Sequence, residues 1–247
     1  MNPVFSVIIP TYNEVQYTDR CLTSVLGQDF PRNEFEVIVS DASSTDGTVE
    51  KARSLADKVI VSERRGIAHG RNQGAKAAGG EILVFVDADV ELEADFLRII
   101  ADSFKNACVV GVTGRAWPSD GGVFQRFVYF GTYELTRIFR WFGLPLFPGL
   151  CVAYRRKAFE AVGGFREDFG ISEDLDLSRR ISRLGLCKTE YRARARVSTR
   201  RLEQHALSTV LFHIYYDLRY LLTGSSARTY PKAEEIASSK DLWRMNS

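Results

Sequence analysis

The apolar positions fall into short unbroken runs in the first half of the chain and into longer, spaced stretches in the second. Val4–Ile9 is a run stopped by Pro10, and Phe35–Val39, Val59–Val61, Ile82–Val86 and Cys108–Val112 repeat the pattern. Short runs with no polar alternation predict strands buried on both faces, as in a parallel sheet. Between them lie helical spacings: Tyr17–Leu26 ending at Gly27, Asp46–Leu55 with Asp46 or Ser44 as N-cap, Ile67–Ala78, and Leu92–Phe104. Strands alternating with helices predict an α/β fold with helices on both faces of the sheet. The second half reads differently. Phe124 to Phe147 holds nine aromatic residues, with Gly143, Pro145 and Pro148 breaking its end. Leu150–Tyr154 reads as a strand, and a short helix leads to Gly163-Gly164-Phe165. Glu173–Leu184 reads as a helix with Ser172 as N-cap, and Leu207–Leu222 as a last apolar helix.

Composition narrows the class. Of 247 residues, 45% are hydrophobic, enough for a sizeable core. The formal net charge of +2 gives no support to a nucleic-acid partner. Cys21, Cys108, Cys151 and Cys187 form no CxxC pair and are expected to be reduced, buried residues of a cytoplasmic protein. Neither a basic-then-apolar leader nor a run of about 18 apolar residues is present, so no signal peptide or membrane span is expected.

Parallel sheets bind ligands beyond the carboxyl ends of their strands. Here those ends carry Pro10-Thr11-Tyr12-Asn13-Glu14, Ser40-Asp41-Ala42-Ser43-Ser44-Thr45-Asp46-Gly47, Glu63-Arg64-Arg65-Gly66 and Asp87-Ala88-Asp89. No GxGxxG follows the first strand and no GxxxxGK[ST] occurs, which disfavours a dehydrogenase or a P-loop enzyme. Two carboxylates one residue apart can share a hard cation with phosphate oxygens, and Mg²⁺ or Mn²⁺ suits oxygen ligands. The plainer alternative is that Asp89 caps a helix starting near Leu92, with Glu91 and Glu93 in its first turn.

Five segments in order carry a more specific resemblance. They are Ser6–Glu14, Asp41–Gly47, the stretch holding Gly66, Ala68, Arg71, Asn72, Gly74, Ala78, Gly80 and Glu81, then Asp87-Ala88-Asp89, and Gly163-Gly164-Phe165 followed by Glu173-Asp174. Together they resemble an inverting glycosyltransferase of family 2 with the GT-A fold, a Rossmann-like, mostly parallel sheet. The resemblance covers residues 4 to 200 and implies a single domain over 1–225. Its nucleotide-sugar-binding half would be 1–115 and its acceptor half 116–225, with a polar tail over 226–247.

The resemblance also implies roles. Asp41 accepts a hydrogen bond from the donor base unless it is a turn or N-cap aspartate, and Ser43 belongs to the same nucleotide-binding turn; Pro10, Thr11, Tyr12 and Glu14 line the same pocket, with Tyr12 able to pack on base or ribose unless it packs in the core at a strand end. Arg71 pairs with the diphosphate unless it is a plain surface cation. Asp89 meets Mn²⁺ or Mg²⁺, and Asp87 meets the ribose or a metal-bound water. Asp174 is the general base and Glu173, with Trp117, holds acceptor or sugar. Arg200, Arg201 and His205 follow the last strand and cover the diphosphate, His205 as an additional metal ligand unless it is structural. The implied reaction moves one hexose or N-acetylhexosamine from a UDP- or GDP-sugar to a hydroxyl of a glycan or lipid-linked acceptor. The QxxRW of processive members is missing after the acidic pair, and Arg137–Trp141 precedes it, which favours single transfer. The alternatives are a nucleotidyltransferase, which would carry a Gly-rich basic loop after the first strand, and a non-catalytic relative that binds a partner. The aromatic stretch and the last helix, which His213, Asp217 and Arg219 interrupt, are expected to pack on the sheet. Their rival readings are peripheral attachment to the inner face of the membrane and a homodimer seam.

Overall fold

Four parallel strands build one half of the sheet: β1 (Phe5–Thr11), β2 (Phe35–Asp41), β3 (Lys58–Val61) and β4 (Ile82–Val86), in the order β3-β2-β1-β4. The computed structural model describes residues 4–141, 145–200 and 206–227. Helices α1 (Val15–Leu26), α2 (Thr48–Leu55), α3 (Ile67–Ala77) and α4 (Phe96–Phe104) connect and follow these strands, as the alternation predicts. Beyond β4 the sheet becomes mixed. β5 (Val90–Leu92), β6 (Val109–Pro118), β7 (Cys151–Arg155) and β8 (Leu186–Val197) complete the order β3-β2-β1-β4-β7-β6-β8-β5. β7 is antiparallel to both β4 and β6, while β8 runs parallel to β6 and antiparallel to β5. The other helices described are α5 (Val123–Trp141), α6 (Arg156–Ala161), α7 (Glu173–Ile181) and α8 (Ala206–Thr223).

Strand alternation divides the core into two layers. Phe5, Val7 and Ile9 of β1 and Ile82, Val84 and Val86 of β4 face α1, α2 and α4. Ile8, Leu83 and Phe85 point the other way, against α3, α6 and α7. The α3 layer sits close because Gly74 has no side chain: a Cβ there would lie 2.3 Å from Ile8 Cγ2. Helix α5 docks on the first layer through Tyr133, whose buried hydroxyl accepts the Ala116 N–H of β6 at 2.6 Å.

Several local expectations change. The helix expected from Leu92 starts at Phe96, because Val90–Leu92 pair instead with Val197–Ala195. Asp89 therefore caps no helix. β8 has no counterpart among the expected strands. Its buried face is largely Cys187, Ala193, Ala195 and Val197 beside exposed Arg192, Arg194 and Arg196, and small residues make a faint apolar signal. The helix from Glu173 ends at Ile181, not Leu184. Ser172 holds the N-cap position but makes no cap hydrogen bond, since its hydroxyl donates to Asp217. Gly47 holds the corresponding position before α2, while Asp46 accepts the Thr48 N–H from one residue further out. Cys108 is exposed, against the buried state expected, whereas the other three cysteines are buried and all four are free. Among the described residues no helix is long and apolar enough to cross a membrane.

Candidate active site

The carboxyl ends of β1, β2 and β4 open into one cavity of about 1220 Å³, lined on one side by Pro10, Thr11, Tyr12, Glu14, Asp87 and Asp89 and on the other by Glu173 and Asp174. The first two loops are laced together. Asn13 N–H donates to Ser44 Oγ, the Asn13 carboxamide oxygen accepts from Thr45 N–H, and Asp46 accepts from Val15 N–H. Asn13, Ser43 and Ser172 are the non-glycine residues described at positive φ (53°, 58° and 59°), and all three lie in loops bordering the site. Such conformations cost about 1–2 kcal/mol each and persist where surrounding bonds over-determine them. Asp41 is buried, and its carboxylate accepts from Thr11 Oγ1 (2.7 Å), Ser44 N–H (2.7 Å) and Ser44 Oγ (2.6 Å). Ser43 donates its hydroxyl to Ser62 O, clipping the loop to the end of β3. Asp41 and Ser43 thus stand behind the lining rather than in it. Tyr12 is exposed, with the Arg65 guanidinium 4.5 Å above its ring.

Asp87-Ala88-Asp89 is a tight turn between β4 and β5, closed by Val90 N–H to Asp87 O and tied to the rest of the fold by Asp87 N–H to Leu150 O and Ser198 N–H to Asp89 O. Ala88 packs with the core cluster, and the turn sets Asp87 and Asp89 at the cavity wall. Arg71 of α3 is no surface cation. It is buried and donates to Asp87 Oδ1 and Glu173 Oε1, each at 2.8 Å, and to Gly149 O at 3.1 Å. Burial alone would lower its pKa, but the charges of Asp87, Glu173 and Asp174 outweigh that and hold it firmly cationic. Gly149 also donates its N–H to Asp174 Oδ2 at 2.6 Å. One guanidinium and one glycine therefore link the strand-end acids to the acids of α7. Burial, then the neighbouring Asp174 carboxylate, pushes Glu173 above the usual carboxylate range, against the pull of Arg71.

On the far wall, Asp217 of α8 accepts the Ser172 hydroxyl at 2.6 Å, and burial raises its pKa to about 7. Tyr220 donates to Asp176, fixing α8 to α7. Arg200 pairs with Glu14, stands 3.5 Å from Asp89 Oδ2 and lies over the Tyr17 ring. Trp117, exposed under Arg115 at the end of β6, does not line the cavity. Arg201 and His205 lie outside the described residues. Gly149 and His69 were not singled out from sequence. His69 joins Ser62 to Glu167 at the cavity wall. A lone glycine or histidine gives no local signal, whereas Asp217 was visible as a charge interrupting an apolar helix.

Glu14, Asp87, Asp89, Glu173 and Asp174 gather around Arg71 and Arg200 at this end of the cavity. Among the described residues no three His, Cys, Asp or Glu side chains form a closed metal cage. One or two carboxylates with an open side is the donor set suited to Mg²⁺ or Mn²⁺, which complete their shell with phosphate and water. The residues present fit such an ion.

The profile of Glycosyl transferase family 2 matches residues 6–163. The chain belongs to this family. It is similar to "Glycosyltransferase AglE" of Haloferax volcanii, 32% identical over 142 residues, 54% of this chain and 47% of that protein. The chain thus spans about half the length of that relative. It is also 31% identical to "PGL/p-HBAD biosynthesis glycosyltransferase" of Mycobacterium bovis, over 72% of this chain and 69% of that protein. A mannosyltransferase of Pyrobaculum calidifontis, solved with GDP-Man and Mn²⁺, superposes with a TM-score of 0.73 at 26% identity, covering 98% of this chain and 70% of that one. The glycosyltransferase family and the GT-A fold read from the sequence are borne out.

Proposed function

We propose that this family 2 protein transfers a single sugar, with inversion, from a UDP- or GDP-sugar to a hydroxyl of a glycan or lipid-linked acceptor. The observation that carries this reading is the Arg71–Gly149 link. It holds the donor-side acid Asp87 and the acceptor-side acids Glu173 and Asp174 across one cavity. Residues 1–115 supply the donor half and 116–225 the acceptor half. The base lies against the Pro10–Tyr12 edge, whose shape Asp41 and Ser43 fix from behind. Arg71 is committed to Asp87 and Glu173, so its part is to position these acids as well as to offset phosphate charge.

Mn²⁺ or Mg²⁺ would be held by Asp89, with Asp87 beside it, and supplies charge neutralisation for the departing nucleoside diphosphate. Asp174 receives the acceptor proton as the acceptor oxygen bonds to the anomeric carbon and the bond from that carbon to the phosphate oxygen breaks. Attack from the face opposite the leaving group inverts that carbon. The named complex of the Pyrobaculum relative supports a nucleotide-sugar donor and a divalent ion.

The test pairs two variants. Calorimetry with UDP- and GDP-sugars and MnCl₂ should show donor binding lost in Asp89→Ala and kept in Asp174→Asn. Asp174→Asn should slow transfer by about 10²–10⁴-fold. Full activity in Asp174→Asn would require another base, and metal-dependent binding in Asp89→Ala would remove the metal role.

A further inference from the structure

The cavity does not end at its acids. Beyond Asp174 it continues between α5 and α8, where the wall turns apolar: Leu135 and Phe139 on one side, Ile214, Leu218 and Leu221 on the other, with Leu146 beneath. The lining positions of α5 recur at three- and four-residue spacing, the face of one helix. Its opposite face is committed to the sheet through Tyr133. Leu135, Ile214 and Leu218 remain 51%, 45% and 50% exposed while lining the cavity. At the middle of this wall is Gly131, where an added Cβ would meet nothing within 4 Å. Glycine is disfavoured inside a helix, and here no neighbour needs the room. Its effect is to widen the chamber. At about 1220 Å³ the whole cavity exceeds the roughly 300–1,000 Å³ of a site for one small ligand.

We propose that the α5–α8 part of the cavity binds the hydrocarbon chain of an amphiphilic acceptor whose hydroxyl-bearing head lies at Asp174. The head-group placement rests on the glycosyl-transfer reading, whereas the chain site rests on the lining alone. A water-soluble glycan would leave this wall in contact with water. A second copy of the protein seated here would block Asp174, because the apolar wall is concave and continuous with the acids.

The test titrates alkyl β-glucosides of one to eight carbons, below micelle formation, into the full chain by calorimetry. It is run with and without UDP or GDP plus MnCl₂. Affinity should rise with chain length, by up to about fourfold per methylene. Gly131→Phe adds a ring at a position where a Cβ meets nothing within 4 Å, and Leu218→Asp makes the wall polar. Both should abolish the gain beyond short chains while nucleotide affinity stays unchanged. Affinity independent of chain length, or the same dependence in both variants, overturns the proposal. So does a dimer in sedimentation that Leu218→Asp converts to monomer. Absence of nucleotide binding by the unaltered protein would sink the transfer reading instead and leave the chain-length result to decide this one.

Discussion

Replacing Arg71 by leucine removes one buried cation and leaves two buried acids, Asp87 and Glu173, without their shared partner. The Arg71 side chain is 2% exposed, and its partners Asp87 and Glu173 are 11% and 9% exposed, each 2.8 Å from it. Coulomb attraction at contact amounts to about 4 kcal/mol per pair at an effective dielectric of 20, before desolvation is counted. Removing one partner of a buried pair costs about 3–5 kcal/mol, because an uncompensated charge stays behind. The two pairs share one guanidinium, so their costs overlap. A total loss of about 3–5 kcal/mol is expected at pH 8, a large fraction of ordinary domain stability. The part of the loss that comes from Glu173 should grow only as pH rises above about 8, the value to which burial and Asp174 already push this group with Arg71 in place. Glu173 already has a raised folded pKa, from burial first and Asp174 second, and removing Arg71 raises it further. A carboxyl raised in the folded state binds its proton there more tightly than in the unfolded chain, so its penalty grows as pH climbs above the unfolded value. Urea unfolding followed by tryptophan fluorescence at pH 7 and pH 9 measures both effects. The double variant Arg71→Leu/Glu173→Gln should recover part of the stability at pH 8. A loss under about 1 kcal/mol at both pH values would refute the assignment of Arg71 as the charge link of the site.

Three further outcomes follow from the same geometry. Asp217, with a folded pKa of about 7 set mainly by burial, should penalise the fold increasingly as pH rises from its unfolded value towards 7. Asp217→Asn should therefore raise stability by about 1–2 kcal/mol above pH 7 and much less near pH 4, as thermal melts across that range would show. Tyr133→Phe leaves the buried Ala116 N–H without its acceptor and should cost about 1–3 kcal/mol in denaturant unfolding; a neutral result would mean that α5 is not held to β6 this way. Gly149→Ala places a Cβ 2.8 Å from Arg71 Nη2 and 3.0 Å from Asp174 Oδ2. It should lower kcat by about ten- to a hundredfold, since it displaces Asp174 and the Arg71 guanidinium that aligns the acids.

The strands and helices of the first half were legible because their signals are local. A run such as Ile82–Val86 is apolar at every position, and it does form a fully buried strand over those same residues. β8 was not legible, because its buried alanines contribute little hydrophobic contrast beside long arginines. β5 was hidden for a different reason. Val90–Leu92 has the same local character as a helix start, and only the arrival of β8 alongside makes it a strand. The Ser172 hydroxyl was expected to cap α7, and a partner 45 residues away takes it instead.

By itself the sequence determined that acids, hydroxyls and arginines stand at the ends of buried strands, because strand formation and its termination depend on residues a few positions apart. It placed Asp87 and Asp89 at the end of β4 and Glu173 and Asp174 at the start of α7 for the same reason. Tertiary structure decided how these groups meet. Arg71 reaches Asp87 across 16 residues and Glu173 across 102, and Gly149 completes the link, with nothing in the spacing to announce either pair. It also decided that one face of α5 covers the sheet while another lines a cavity with α8, since periodicity marks an apolar face but not what will lie opposite it. Local propensity selects elements; the charges and apolar walls of the site come from long-range closure of the chain, whose free energy depends on every element packed around it.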